Sequence, residues 1–591
     1  MIRSFKEHLR KMDPEMDTIL SSATEIDESR DKIVELLQSR KDHYYGPDCR
    51  TEDLERVVAL NCIGTLENFM SVRNEIISGC SVLKGLLAAY DNYSETEYSY
   101  HFYADVINVM KGALAMSGIY NEEAPTFTGI DRFEVSRRRS DHLDALAMRC
   151  RTFMSRYPSG LDKEIIELRE KNKERVLEVI GGSFDDWEDH SWHRRNTVRD
   201  SQHLQDMIEL TEEERAAIDL AVENKVPFGI TPYYVSLMDR GPSRTRDHAV
   251  RAQVIPRLGY LKRVLSKKGA KEELDFMKEG LTSPAPLITR RYPIIAIMKP
   301  YSSCAQICVY CQRNWEIREV DAEDAAVDEG SISAAVHWFA EHPMVNEVLV
   351  TGGDPVLLGD EVLGSLLGRL AELEHITRIR IGTRVPVVLP MRVTPSFLDE
   401  IEAVHDPPRR EVCVVTHIEH PYEVTPDLVR AVVSIRRRGI SVYNQQVFTF
   451  ENSRRFETAL LRDIVKRSGV DPYYTFNTKG KEETEWFRVP IARILQERKE
   501  EARLLPGLTR TDEPVFNIPA LGKNHLRAWQ HHDMIMISAQ GERVYEFHPW
   551  EKNIVMAPTY VYKDVPIMGY LDRLDGIGED PADYWSIWYY F

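Results

Sequence analysis

Cys304, Cys308 and Cys311 stand in the run Cys-Ala-Gln-Ile-Cys-Val-Tyr-Cys, a C-x3-C-x2-C spacing. Three thiolates this close can ligate three irons of a [4Fe–4S] cluster and leave the fourth iron without a protein ligand. An iron with an open position can bind a small molecule and hand it an electron, which a four-cysteine electron carrier cannot do. Two other chemistries fit the same residues. Three cysteines can bind zinc with a fourth ligand from elsewhere, and free cysteines are common core residues. A second feature lies downstream, where the apolar run Val348-Leu-Val-Thr351 ends in Gly352-Gly353-Asp354-Pro355. Glycines there let backbone approach a ligand closely, or simply make a turn.

These residues need elements to position them. The segment 292–298 before the cysteines is a continuous apolar run of strand length. Between 285 and 475, apolar β-rich runs alternate with helical patterns, with strands predicted at 294–298, 348–350, 379–381, 412–415, 442–447 and near 472–474. Such alternation predicts an α/β fold with a parallel sheet wrapped by helices. Six strands make a partial, open (β/α)6 barrel, whose sites lie at the C-terminal ends of the strands. Before it comes an additional, mostly helical N-terminal domain. There Leu54, Val57, Val58, Cys62, Leu66 and Met70 recur at steps of three and four, and Gly181-Gly182 ends a helical pattern. Composition changes sharply at Phe184-Asp-Asp-Trp-Glu-Asp-His-Ser-Trp192. The expected domains are therefore 1–183 (helical), 184–284 (helical lead-in), 285–480 (barrel core) and 481–591 (C-terminal region).

A chain of 591 residues with 43% hydrophobic and 29% charged residues is expected to be globular, with more than one domain. No apolar run approaches the roughly 20 residues that span a bilayer. The start Met1-Ile-Arg-Ser-Phe-Lys6 has no apolar signal core, so a cytoplasmic protein without a membrane partner is expected. Cys49, Cys62, Cys80, Cys150 and Cys413 show no paired spacing and read as reduced thiols. A net charge of −18 argues against a nucleic-acid partner. The basic runs at 137–139 and 436–438 read as solvated helix faces.

The cysteine spacing resembles that of radical S-adenosylmethionine (SAM) enzymes. Further landmarks follow in one order. They are Ile230-Thr-Pro-Tyr-Tyr-Val-Ser-Leu237, Gln253-Val-Ile-Pro256, Arg291-Tyr-Pro293, Thr351-Gly-Gly-Asp354, Ile381-Gly-Thr-Arg-Val-Pro-Val-Val-Leu-Pro390, Thr416-His-Ile-Glu-His-Pro421, Asn444-Gln445 and Pro472-Tyr-Tyr474. With these, the chain from near Trp192 to about 555 resembles the lysine 2,3-aminomutase family of radical-SAM, pyridoxal-phosphate (PLP) enzymes.

The resemblance implies an isomerase with a [4Fe–4S] cluster, SAM and PLP, an external one-electron reductant of the flavodoxin or ferredoxin type, and a homo-oligomer. It assigns Cys304, Cys308 and Cys311 to the cluster, and Gly352, Gly353, His417, Asn444 and Gln445 to the cofactor neighbourhood. Lys523 matches the Schiff-base lysine and Arg291 one of two arginines for the PLP phosphate. Ile295 stands where the second belongs, and Ala520-Leu521-Gly522 replaces a longer glycine run. Arg313 matches the arginine that grips the substrate α-carboxylate.

Lysine-specific members place two aspartates around the distal ammonium, and here those positions are Lys479 and Asn517. A lysine substrate would meet like charge there, whereas an acidic side chain fits. This pair resembles the glutamate 2,3-aminomutase branch, so conversion of L-glutamate to 3-aminoglutarate (β-glutamate) by PLP-assisted 1,2-amino migration is the expected activity. Two alternatives stay open. One is an enzyme of the same family acting on lysine, aspartate or another amino acid, or working without PLP. The other is an iron–sulfur redox-sensing or binding protein.

Overall fold

Each of the six sequence-predicted strands forms, and each runs longer than its apolar stretch. The computed structural model describes residues 2–90, 97–119, 131–267, 271–320, 322, 324–478, 480–528, 530–549 and 556–591. A short β1 (Ile288–Thr289) pairs antiparallel with β2 (Ile295–Tyr301). From there β3 (Glu347–Gly352), β4 (Arg378–Gly382), β5 (Glu411–Thr416), β6 (Ser441–Phe448), β7 (Asp471–Asn477) and β8 (Glu513–Ile518) add in chain order, all parallel. Val348 pairs with Ala296 on one side and Ile379 on the other, and Ile379 pairs with Val412.

The alternation of side chains then sorts the residues. Ala296, Met298, Val348, Val350, Ile379, Ile381, Val412, Val414 and Val442 are buried in the core. The opposite face carries Lys299, Thr351, Arg380 and Gln445, all half-buried. The crossover helices present matching stripes. In Asp360–Glu372 the buried residues are Leu363, Leu366, Leu367 and Leu370, at steps of three, one and three. Each such leucine contributes roughly 1.5–3 kcal/mol of burial. Thr394 and Thr425 cap the helices Pro395–Ala403 and Pro426–Arg437, with proline at the first helical position of each. At the N-terminal ends of the strands, Arg378 bridges Glu347 (2.9 Å) and Glu411 (2.7 Å), and Arg380 bonds Tyr473 (2.9 Å).

Internal contacts divide the chain into two units. One holds Met1–Thr152, Arg488–Leu504 and Lys523–Phe591; the other holds Phe153–Phe487 and Leu505–Gly522. The contiguous boundaries expected at 183, 284 and 480 do not coincide with this division, and the reason is tertiary. Helix Lys163–Ile180, expected in the N-terminal domain, belongs to the barrel unit. Its Asn172 donates to the carbonyls of Ser236 and Met238, and its Arg169 to that of Tyr422.

In the first unit the N-terminal helices join C-terminal strands. A short β9 (Gly522–His525) carries Lys523, and β10 (His532–Ile537), β11 (Arg543–Phe547) and β12 (Tyr560–Lys563) form an antiparallel sheet. Arg543 on β11 makes a two-pronged ion pair with Asp105 on helix Tyr100–Ala113, at 2.8 and 2.9 Å, both side chains 1% exposed. Local periodicity carries no sign of a contact that spans 438 positions.

Candidate active site

β2 ends at Tyr301, and the cysteine loop leaves it pinned on two sides. The Ile307 N–H donates to the Gly229 carbonyl (3.1 Å) and the Val309 N–H to that of Gln253 (2.7 Å). On the other side Gly353 N–H bonds Tyr301 and Asp354 N–H bonds Ser303, both at 2.8 Å. The glycine pair makes this possible. Gly352 adopts φ +115°, and a Cβ there would lie 3.0 Å from the Lys299 Cβ. A Cβ on Gly353 would lie 2.1 Å from the Ser303 carbonyl oxygen. Asp354 then reaches across to β4, accepting from the Thr383 hydroxyl (2.7 Å) and the Arg384 N–H (2.8 Å).

All three cysteines are half-buried and line a cavity of about 830 Å3, together with Gly352, Gly353, Lys299 and Glu316. Burial pushes the thiols of Cys304 and Cys308 up, and their neighbouring cysteines push the same way. On Cys308 the opposing influence is Arg384, whose Nη1 donates to Sγ at 2.8 Å. Arg384 is itself fixed by the Glu423 carboxylate (2.6 Å), the His417 carbonyl (3.2 Å) and Gln253. Glu423 is fully buried and accepts from the N–H groups of Glu419 (2.8 Å) and His420 (3.2 Å) and from the Tyr234 hydroxyl (2.6 Å). Glu419, 3% exposed, accepts from the Val447 N–H at 2.5 Å. Burial drives its pKa up to about 8, with Arg384 opposing and Glu423 adding to the rise.

The donor chemistry of this loop suits an iron–sulfur cluster. Three soft sulfur donors are partly accessible from one cavity. A cluster's charge deprotonates coordinating thiols outright and reverses the effect of burial. Gln306, between Cys304 and Cys308, lines the same cavity and has both ends of its amide buried without a hydrogen-bond partner. A polar ligand in the cavity would satisfy it, since buried amides are rarely left unpaired.

The other expected residues fall out unevenly. Arg313 is held by Glu279 through Nε and Nη2, both at 3.2 Å, and Gln312 donates to the same carboxylate (2.6 Å). Burial alone would raise the Glu279 carboxyl, but Arg313, Arg291 and Lys299 outweigh it and hold the pKa at about 2. Arg291 donates to the Met277 carbonyl (2.8 Å) and lies 3.9 Å from Glu279, and Ile295 is half-buried. Within the barrel unit the fit to PLP is partial, because Arg291 already faces a carboxylate and Ile295 adds no cation; Lys523, in the other unit, is half-buried on β9.

Both ends of the Asn444 amide bond the Ile418 main chain (2.7 and 2.9 Å), which fixes the loop after β5. Gln445 and Asn517 are half-buried on β6 and β8. His417 sits just past β5, its side chain 38% exposed and 3.8 Å from Glu419. Lys479 lies outside the described residues. Lys481 is buried, paired with Glu483 (2.9 Å) and donating to Asn314 (3.2 Å).

Sequence reasoning gave no role to Arg384, Gln253, Glu279, Lys299 or Glu316. Arg384 and Gln253 sit inside quoted landmarks, so the signal was present without a partner to interpret it. His248, His420 and Glu457 also gather their ligating atoms within 4.8 Å. Arg454 fills that cluster, at 2.9 Å from His248 and 2.6 Å from Glu457, which makes it an ion-paired knot.

Comparison with known proteins adds independent findings. No family model matches the chain. An uncharacterised KamA family protein of Methanocaldococcus jannaschii is 41% identical over 604 aligned positions, covering 98% of this chain and 96% of its own. Glutamate 2,3-aminomutase of Clostridioides difficile is 31% identical over 56% of this chain and 74% of its own. L-lysine 2,3-aminomutase of Acetoanaerobium sticklandii is 34% identical over 53% and 72% respectively.

Proposed function

The chain belongs to the KamA family, and from that premise we propose that it is a radical-SAM amino acid 2,3-aminomutase acting on L-glutamate. The observation that carries this reading is the cysteine loop, with three thiols lining one 830 Å3 cavity and a half-buried arginine bonded to one of them. When bound, the cluster and SAM supply a carbon radical able to take hydrogen from an unactivated C–H bond, and PLP supplies an aldehyde and a conjugated ring.

The chain's residues do the placing. Cys304, Cys308 and Cys311 hold the cluster. Arg384 orients Cys308 and favours its thiolate, because a guanidinium hydrogen bond stabilises charged sulfur more than neutral sulfur. Gly352 and Gly353 bring the end of β3 against the loop. Arg313 takes the substrate α-carboxylate, its fork held in plane by Glu279. Lys523 supplies the amine that would hold the PLP aldehyde until a substrate amine takes its place. In the reaction the amino group moves from C2 to C3 and one hydrogen moves the other way, so the product is an isomer. The choice of glutamate rests on Lys479 and Asn517, which offer one cation and one neutral amide where two carboxylates suit lysine. The electron comes from an external one-electron carrier.

An anaerobic assay of reconstituted protein with SAM, PLP, dithionite and a panel of glutamate, aspartate and lysine tests this. β-Glutamate formed from glutamate, with lysine untouched, is the expected result. Isomerised lysine with unreacted glutamate would sink the substrate assignment. One observation favours a second reading, a family enzyme working without PLP: Arg291 faces Glu279, and Ile295 supplies no second cation. Under that reading purified protein incubated with PLP shows no Schiff-base absorbance, yet still cleaves SAM.

A further inference from the structure

On the inner face of the barrel, β2 presents Ile295, Ile297 and Lys299 in alternation, all half-buried. Lys299 comes last, next to Gly352 at the end of β3 and on the wall of the cavity that the three cysteines line. Its Nζ lies 2.6 Å from the Glu316 carboxylate, and that carboxylate lies 3.9 Å from Arg313. Glu316 thus sits between two cations.

Two carboxylates of this cluster are held differently. Glu279 is 2% exposed and fixed by Arg313 and Gln312, with its main-chain N–H bonded to Asp275. Glu316 is 23% exposed and lines the cavity, and among the described residues its side chain is held by those two cations. Arg291, Arg313 and Lys299 face three carboxylates, Asp275, Glu279 and Glu316, and of these three Glu316 is the one that lines the cavity.

We propose that Lys299 and Arg313 form a two-cation seat for a ligand carboxylate, and that Glu316 is the chain's own carboxylate, displaced from the seat when the ligand arrives. A planar guanidinium fork and a compact ammonium around one anion make a partly desolvated site that needs no rearrangement of backbone. Glu316 can yield at low cost, because its position at the cavity wall lets it regain water. Two carboxylates share this chemistry, that of an amino acid substrate and that of the methionine part of SAM. The substrate arm rests on the aminomutase reading above; the SAM arm does not need the substrate to be known.

The test is equilibrium dialysis of anaerobically reconstituted protein with labelled SAM and labelled L-glutamate separately, using wild type, Lys299→Met, Lys299→Arg and Glu316→Gln. Lys299→Met loses a charge-assisted contact, so one ligand binds on the order of tenfold or more weakly, and Lys299→Arg restores much of it. Glu316→Gln removes the competing anion, so the same ligand binds more tightly than to wild type. Whichever ligand moves in both directions is the one whose carboxylate occupies the seat. The proposal is overturned if neither dissociation constant moves while iron content and melting temperature stay at wild-type values. It is equally overturned if Glu316→Gln weakens binding, as for an ion pair that only braces the wall. Wild type that binds SAM and no amino acid defeats the aminomutase reading and leaves the SAM arm standing.

Discussion

Arg384 shows what a single half-buried side chain does here. It joins Cys308, Gln253, Glu423 and the His417 carbonyl, so the cysteine loop, the helix His248–Val254 and the segment after β5 meet on one guanidinium. A lysine keeps the charge but cannot span those partners. Arg384→Lys is expected to retain iron and to lower the cluster's midpoint potential, since hydrogen bonds to cluster sulfurs raise it. Redox titration followed by electron paramagnetic resonance reads the shift, and an unchanged midpoint would remove Arg384 from the account. Glu279 carries a pH dependence of known sign. Its folded pKa of about 2 lies below the ordinary 4.5, so its stabilisation is complete above about pH 4.5 and is lost as pH falls toward 2. The difference between those values corresponds to about 3 kcal/mol. Urea unfolding of Glu279→Gln should therefore fall furthest short of wild type at pH 7, and the gap should narrow by pH 3. The cysteines and Arg313 were legible from spacing and resemblance. Glu279, Lys299 and Glu316 were not, because an ion pair between positions 279 and 313 leaves no local pattern.

The elements of the barrel were easier to read than their ends. Apolar runs marked all six strands, but β2 extends to Tyr301 through Lys299 and Pro300, residues that look like loop on composition alone. Helix Asp53–Phe69 buries Val58, Cys62 and Leu66 as their spacing requires, while Leu54 and Val57 from the same apolar set stand 48% and 52% exposed. Periodicity finds a stripe and not its width. The contact between β3 and the cysteine loop is the element-scale feature that most concerns function. Gly353→Ala drives a Cβ into the Ser303 backbone, where no flexible side chain can give way. It should destabilise the barrel by roughly 1–3 kcal/mol, as overpacking generally does. The same change should lower iron per protein after reconstitution, measured by colorimetric iron assay. Full iron loading with wild-type stability would show that the close approach is dispensable.

At the scale of the whole molecule, the chain's ends fold together. The pair of Asp105 and Arg543 is completely buried, with further bonds from Arg543 to the carbonyls of Trp588 and Tyr590. Asp105→Asn leaves a buried cation unpaired and should cost about 3–5 kcal/mol in chemical denaturation. Loss below 1 kcal/mol would mean that water reaches the pair. Among the described residues no helix is long and apolar enough to cross a membrane. That two-unit division escaped the sequence because a reader of periodicity cuts the chain into successive blocks. Here residues 1–152 share a unit with 523–591. The central claim, radical amino migration on glutamate, meets its most direct test in one isotope experiment. Glutamate deuterated at Cβ is incubated anaerobically with reconstituted protein, SAM, PLP and dithionite, and 5'-deoxyadenosine is weighed by mass spectrometry. The account predicts deuterium in 5'-deoxyadenosine together with β-glutamate in the amino acid pool. Unlabelled 5'-deoxyadenosine with no β-glutamate would contradict it.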